Sequence, residues 1–182
     1  MLDLFDELSA VTQALDKAKI PYALVGGLAY SLWVEVRATE DINLLIAPED
    51  WPAMPKLLAP LGYEDLAGPM DFKGVRIRRL TKFIESGGKE SRALVLDFLL
   101  ADEPLRAGLA NRVRIQRGNF SLYLAPPEVI IKMKQQRRSA KDLADIEGLK
   151  AIVAKDKGST SAIKGKTIGK RKPLQSQRKR KK

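Results

Sequence analysis

Hydrophobic positions first recur with a helical period. Leu2, Phe5, Leu8, Val11, Leu15 and Ile20 fall near one stripe and predict an amphipathic helix over about residues 2–18, stopped by Pro21. Tyr22-Ala23-Leu24-Val25 then reads as a short apolar strand, Gly26-Gly27 as a turn, and Leu28 to Trp33 as a second helix. Ile42 to Ile46 is a strand closed by Pro48. Pro52 to Leu61 is a short helix, with Pro52 in its first turn and Gly62 as its stop. Phe72 to Leu80 alternates, which predicts a strand with Val75 and Ile77 on one face and Arg76 and Arg78 on the other. Residues 85–92 contain Ser86-Gly87-Gly88-Lys89 and read as a loop. Ala93 to Leu100 is a buried strand, apolar except for Asp97. Val113–Ile115 and Phe120–Leu124 alternate around Arg117-Gly118-Asn119, a hairpin signal. Pro126-Pro127-Glu128 opens a helix to about Gln136, and a last helix runs from about Lys141 to Val153. The order predicts an α/β (α+β) fold, a mixed sheet flanked by helices with two more helices at the C-terminal end.

Composition narrows the chemistry. The 182 residues include no Cys and no His, which excludes disulfides, thiolate or imidazole metal sites, a Cys nucleophile and a Ser-His-Asp triad. Acid–base or metal chemistry is left to Asp, Glu, Lys, Arg, Tyr, Ser and Thr. No apolar run approaches the ~20 residues of a membrane span. The acidic start Met1-Leu2-Asp3-Leu4-Phe5-Asp6-Glu7 is unlike a secretion signal, so a soluble, cytoplasmic protein is expected. The net charge of +11 is unevenly placed: residues 155–182 hold 12 Lys/Arg and one Asp, while 1–154 hold 21 of each sign. Two domains of behaviour follow: a folded unit over 1–154, and a basic tail over 155–182 too poor in apolar residues to order itself. Lys170-Arg171-Lys172 and Arg178 to Lys182 read either as a solvated tail or as a loose, non-specific contact to nucleic acid. No aromatic follows Tyr123 to stack on bases.

Three features invite a joint explanation. Gly26-Gly27 between a strand and a helix is either a tight turn or a place where backbone N–H groups meet a phosphate. In Ala38-Thr39-Glu40-Asp41-Ile42-Asn43, Asp41 and Asn43 leave the same face of a strand. They are either a polar strand start or oxygen ligands suited to Mg²⁺. Asp97 is costly inside an apolar strand unless paired, metal-bound or placed at the sheet's end.

Together they resemble the DNA polymerase β-type nucleotidyltransferase superfamily, in which a Gly-Gly or Gly-Ser turn precedes a strand with Asp-x-Asp and a later strand with a third Asp. Here Gly27 lies 14 residues before Asp41, and Asp97 lies 54 residues beyond Asn43. The entry Arg37-Ala38-Thr39-Glu40-Asp41-Ile42 is similar to the minimal, abortive-infection toxin and antibiotic nucleotidyltransferase branches. So is Ile130-Ile131-Lys132-Met133-Lys134 followed by Ser139-Ala140-Lys141-Asp142-Leu143-Ala144-Asp145-Ile146. The resemblance covers about residues 20–150. It implies transfer of NMP from an NTP to a hydroxyl of an RNA or tRNA, a protein or a small molecule, with two Mg²⁺ ions. It implies Gly26 and Gly27 at the triphosphate, metal ligation by Asp41, Asn43 and Asp97, and Asp97 also as base. Lys132, Lys141 and Asp142 are candidates for nucleotide contact, or else a solvated helix face. In bacteria such relatives often act in toxin–antitoxin pairs.

Asn43 departs from the pattern, which has Asp at this position. A neutral amide removes one negative charge from a site meant for two divalent cations, so weak or absent transfer is expected. The chain is then a degenerate member that binds nucleotide or a partner, or an active enzyme with charge supplied nearby, for example by Glu40, or the Asn is an introduced change.

Overall fold

The computed structural model describes residues 4–36, 38–72, 74–85, 91–103, 105–117, 120–137 and 139–164. The chain begins with helix α1 (Leu4–Lys17), which buries Leu8, Val11 and Leu15 as its period requires. Its end is a Schellman motif: Ile20 N–H donates to the Leu15 carbonyl (2.9 Å) and Lys19 N–H to that of Asp16 (3.0 Å). That motif needs a left-handed residue, and Lys19 supplies it at φ 59°.

Strand β1 (Tyr22–Val25) runs into helix α2 (Gly26–Trp33), so the two glycines are the first helical residues and not a separate turn. Strand β2 (Asp41–Ile46) begins at the aspartate itself. The helix expected over 52–61 is split. Helix α3 (Met54–Leu58) sits between 3-10 turns at Pro48–Ala53 and Ala59–Leu61, because prolines 52, 55 and 60 each withhold a backbone donor. Gly62 ends it at φ 87°.

The strand expected over 72–80 is a hairpin: β3 (Met70–Phe72) and β4 (Val75–Glu85), closed where the Asp71 carboxylate accepts the Gly74 N–H (2.9 Å). Strand β5 (Ser91–Leu100) follows, then a short helix α4 (Arg106–Ala110) with no clear sequence signal. The hairpin of β6 (Val113–Arg117) and β7 (Phe120–Leu124) leads to helices α5 (Pro127–Arg137) and α6 (Ala140–Lys164). Helix α6 continues past the expected end near Val153, so the basic segment starts inside it. The remainder of that segment, 165–182, lies outside the described residues, as does most of the expected 85–92 loop.

The seven strands form one mixed sheet in the order β3-β4-β5-β2-β1-β7-β6. β2 pairs parallel with β5 and antiparallel with β1. The two faces of β4 are unlike. Leu80 is fully buried and Lys82 reaches Glu7 of α1 (2.6 Å), a carboxylate that also accepts from the Tyr63 hydroxyl (3.3 Å). On the other face Val75, Ile77 and Arg79 line a cavity with α5.

Relief of the left-handed strain gives a stability test. Lys19→Gly should raise unfolding stability by about 1 kcal/mol, since the αL region costs an L-residue about that much. Urea denaturation reads it; no gain, or a loss, would show that the helix ends differently.

Candidate functional site

Register brings the site together. Parallel pairing sets Asn43 opposite Asp97, antiparallel pairing of β4 and β5 sets Arg79 opposite Asp97, and Val25 pairs with Asn43 on the other side. One row therefore crosses four strands: Arg79, Asp97, Asn43, Val25. Asp41 stands two residues before Asn43 on the same face, and Gly26 follows Val25 at the end of the row. Gly26 has φ 72°, and a Cβ there would lie 2.8 Å from the Asn43 amide nitrogen. A glycine is needed on both counts: for the backbone conformation, and for the approach of α2's first turn to the row.

The polar groups are tied to one another. Asp41 accepts from the Thr39 hydroxyl (2.8 Å) through one oxygen and from the Asn43 amide (2.8 Å) through the other. Asp97, 7% exposed, is held by Arg79 in a two-pronged pair: Nε donates to one oxygen at 2.7 Å and an Nη to the other at 2.8 Å. The bond to Asp97 holds the Arg79 guanidinium above its ordinary pKa against the opposing effect of burial. An apolar strand thus carries a carboxylate because a cation from the next strand is locked to it.

Two cavities flank Asp41 and Asn43, sharing Gly26 and Lys134 as well. One, of about 440 Å³, is polar and includes Gly27, Thr39, Glu40, Ser139, Lys141 and Asp142. The other, of about 540 Å³, lies over Arg79 and Asp97 and is largely apolar.

Of the residues picked out by sequence, Gly26, Gly27, Asp41, Asn43, Asp97, Lys141 and Asp142 all line these cavities. Lys132 does not. It is exposed on α5 and lines a separate groove with Lys150 and Val153 of α6. The lysine facing the site is Lys134, 6% exposed, which donates to Asp142 (3.3 Å) and to Asp145. Asp142 also closes a capping box with Ser139: it accepts the Ser139 hydroxyl (2.6 Å) and backbone N–H (3.2 Å), while its own N–H donates to that hydroxyl (3.1 Å). Glu40 stands at the polar cavity's rim, 88% exposed on its side chain and 3.9 Å from Arg92.

Sequence reading passed over Arg79 and Lys134. Both left a signal: Arg79 is a lone cation on the apolar side of β4, as Asp97 is a lone anion in β5. Lys134 falls four residues after the buried Ile130 on one helix face.

No family model matches the sequence, and no curated protein matches it significantly. Solved structures match the fold. An antigenic nucleotidyltransferase-like protein from Paracoccidioides brasiliensis aligns with a TM-score of 0.54 at 22% identity, covering 82% of this chain and 74% of that one. The lincosamide antibiotic adenylyltransferase LnuA, bound to lincomycin, aligns with a TM-score of 0.54 at 16% identity over 81% of this chain and 96% of its own. ANT(2″)-Ia in complex with adenylyl-2″-tobramycin gives 0.55 at 14% identity, over 84% and 91%. The fold is that of the nucleotidyltransferases.

On this nucleotidyltransferase fold the side chains present do not fit a pair of Mg²⁺ ions. Asn43 turns a donor, not an acceptor, toward Asp41, and both oxygens of Asp97 are taken by Arg79. Asp41, Asp97 and Arg79 together leave one net negative charge, where two divalent cations call for several. Among the described residues no group of three or more acidic side chains is placed to hold a metal. No helix among them is long and apolar enough to cross a membrane.

The Lys134 cluster makes a stability prediction. Burial pushes the Asp142 carboxyl up, but the two Ser139 bonds and Lys134 outweigh it, so the group lies below its ordinary 3.8. A depressed folded-state value means this stabilisation is complete above about pH 4 and is lost as pH falls through the lower, folded-state value. Lys134→Met removes the cation that two buried carboxylates share. It should cost about 3–5 kcal/mol at pH 7, read by urea denaturation. A cost under about 1 kcal/mol would show that the cluster is not closed as described.

Proposed function

We propose that this chain is a nucleotidyltransferase-like protein that binds a nucleoside triphosphate in the polar cavity and transfers its nucleotidyl group weakly or not at all. The observation that carries the reading is the row itself. Asn43 is bonded to Asp41 and Arg79 is forked onto Asp97, so one carboxylate is neutralised by a protein cation and the other is held by an uncharged amide. The polar cavity remains suited to phosphates. It offers the first turn of α2 at Gly26 and Gly27, the rim cation Lys141, and the hydroxyls of Thr39 and Ser139. Support for a nucleotide as the ligand comes from the fold, since adenylyltransferases share it. Glu40, Asp41 and Asp142 also line this cavity, so the nucleotide arrives as its Mg²⁺ complex, whose cation offsets those carboxylates. A degenerate member of this kind works by binding, and a partner protein, as in an antitoxin-like role, is the setting in which nucleotide binding without transfer has a use.

One observation favours an active transferase instead. Asp41 and Asp97 share one face and adjacent strands, an arrangement that attack on a phosphorus can use once Arg79 swings away. On either reading the unit is 1–154. The basic segment 155–182, whose start continues α6, adds salt-sensitive, non-specific contact to nucleic acid.

Calorimetric titration with Mg²⁺-ATP tests the proposal. Binding is expected for the natural chain and at least about tenfold weaker binding for Asp41→Ala, the scale of one lost charged contact. Incubation with labelled ATP and candidate acceptors should give no transfer above background. Absence of ATP, GTP, CTP and UTP binding would overturn the nucleotide reading, and rapid transfer by the natural chain would establish the active one.

A further inference from the structure

The larger cavity has a chemistry of its own. Its walls are Phe72, Val75 and Ile77 of the β3–β4 hairpin, Leu99 of β5, and Ile130 and Met133 of α5. Two successive rows of the sheet form its floor. In the first, Ile77 pairs with Leu99, and both side chains are apolar. In the second, two residues along each strand and so about 7 Å away, Arg79 pairs with Asp97. Arg79 spends Nε and one Nη on Asp97, and its side chain stays 37% exposed. A guanidinium has five N–H donors, so the remaining edge still has donors to offer.

Charge and size then select the occupant. Three carboxylates (Asp41, Asp71, Asp97) and two cations (Arg79, Lys134) border the cavity. A polycation would meet both cations, and a polyanion all three carboxylates, in a mostly apolar enclosure that screens neither. A volume of about 540 Å³ is that of a small-molecule site, not of a polymer groove.

We propose that this cavity binds an uncharged, largely apolar small molecule, with a ring-sized body over Ile77 and Leu99 and a carbonyl or hydroxyl oxygen about 7 Å further on that accepts from Arg79. The inference deepens the nucleotide reading, because the two cavities share Gly26, Asp41, Asn43 and Lys134, and so place this ligand beside the triphosphate. Its binding stands apart from that reading, since the floor and roof of the cavity include no residue that the nucleotide needs.

Prodan, a neutral naphthalene ketone whose emission shifts to the blue in apolar surroundings, is the probe. Titration of the full chain should show one saturable equivalent. Val75→Trp and Met133→Trp both fill the cavity and should each weaken prodan by at least about tenfold, with far-UV dichroism unchanged. Arg79→Met should weaken prodan while leaving dimethylaminonaphthalene, which lacks the ketone, within about twofold of its affinity for the natural chain. Mg²⁺-ATP titrations on the two Trp variants separate the two ideas: ATP binding retained while prodan is lost supports a distinct subsite. No saturable prodan binding, binding unmoved by either folded Trp variant, or equal binding of a naphthalene sulfonate or a dansylated amine would overturn the proposal. Failure of the natural chain to bind ATP while it binds prodan would count against the nucleotide reading and leave this one in place.

Discussion

A row of side chains crossing β4, β5, β2 and β1 is the constraint on which the rest of the structure turns, because strand pairing leaves its members no choice of neighbour. Asp97 stands in a strand that is otherwise apolar, and its charge is tolerated there because register places Arg79 opposite it. An uncompensated carboxylate at that depth would cost several kcal/mol or lose its charge. The same register sets Asn43 beside Asp97 and Gly26 at the row's end, so the approach of α2 depends on a residue without a Cβ. On a fold that adenylyltransferases share, this row carries an amide at Asn43 and a guanidinium at Arg79.

Much of this was legible in the chain. The apolar strands, the amphipathic first helix, the hairpin of β6 and β7 and the mixed-sheet class all follow from periodicity and turn residues. Asp41, Asn43 and Asp97 stood out because polar residues interrupt apolar strands. What was not legible depended on partners distant in sequence. Arg79 looks like one more charge in a basic strand until β4 lies against β5. Lys134 shares a helix face with Ile130 and Lys132 does not, but it takes the packing of α5 on α6 to show that this face is the buried one. The hairpin at Gly74 is marked only by Gly74 and by a change of parity, since Phe72 and Val75 are three residues apart and cannot share one face of a single strand. The expected helix over 52–61 rested on Pro52 in its first turn and Gly62 as its stop, and it is split because Pro55 and Pro60 also withhold backbone donors.

The two cavities differ in chemical character. The polar one gathers backbone donors, hydroxyls and Lys141 at the start of α2 and α6; the apolar one gathers sheet and α5 side chains beyond Arg79. Lys134 sits in the wall between them. Its ties to Asp142 and Asp145 hold α5 and α6 together, so the geometry of both cavities rests on a buried ion cluster that stability measurements can reach.

Arg79, forked onto Asp97, should keep divalent ions off this row. Titration of Mn²⁺ without nucleotide, followed by the loss of the free-ion resonance, tests it most directly. The natural chain should take up no ion with micromolar affinity, and the Asn43→Asp, Arg79→Met double variant should take up at least one. Tight uptake of two ions by the natural chain would contradict the account.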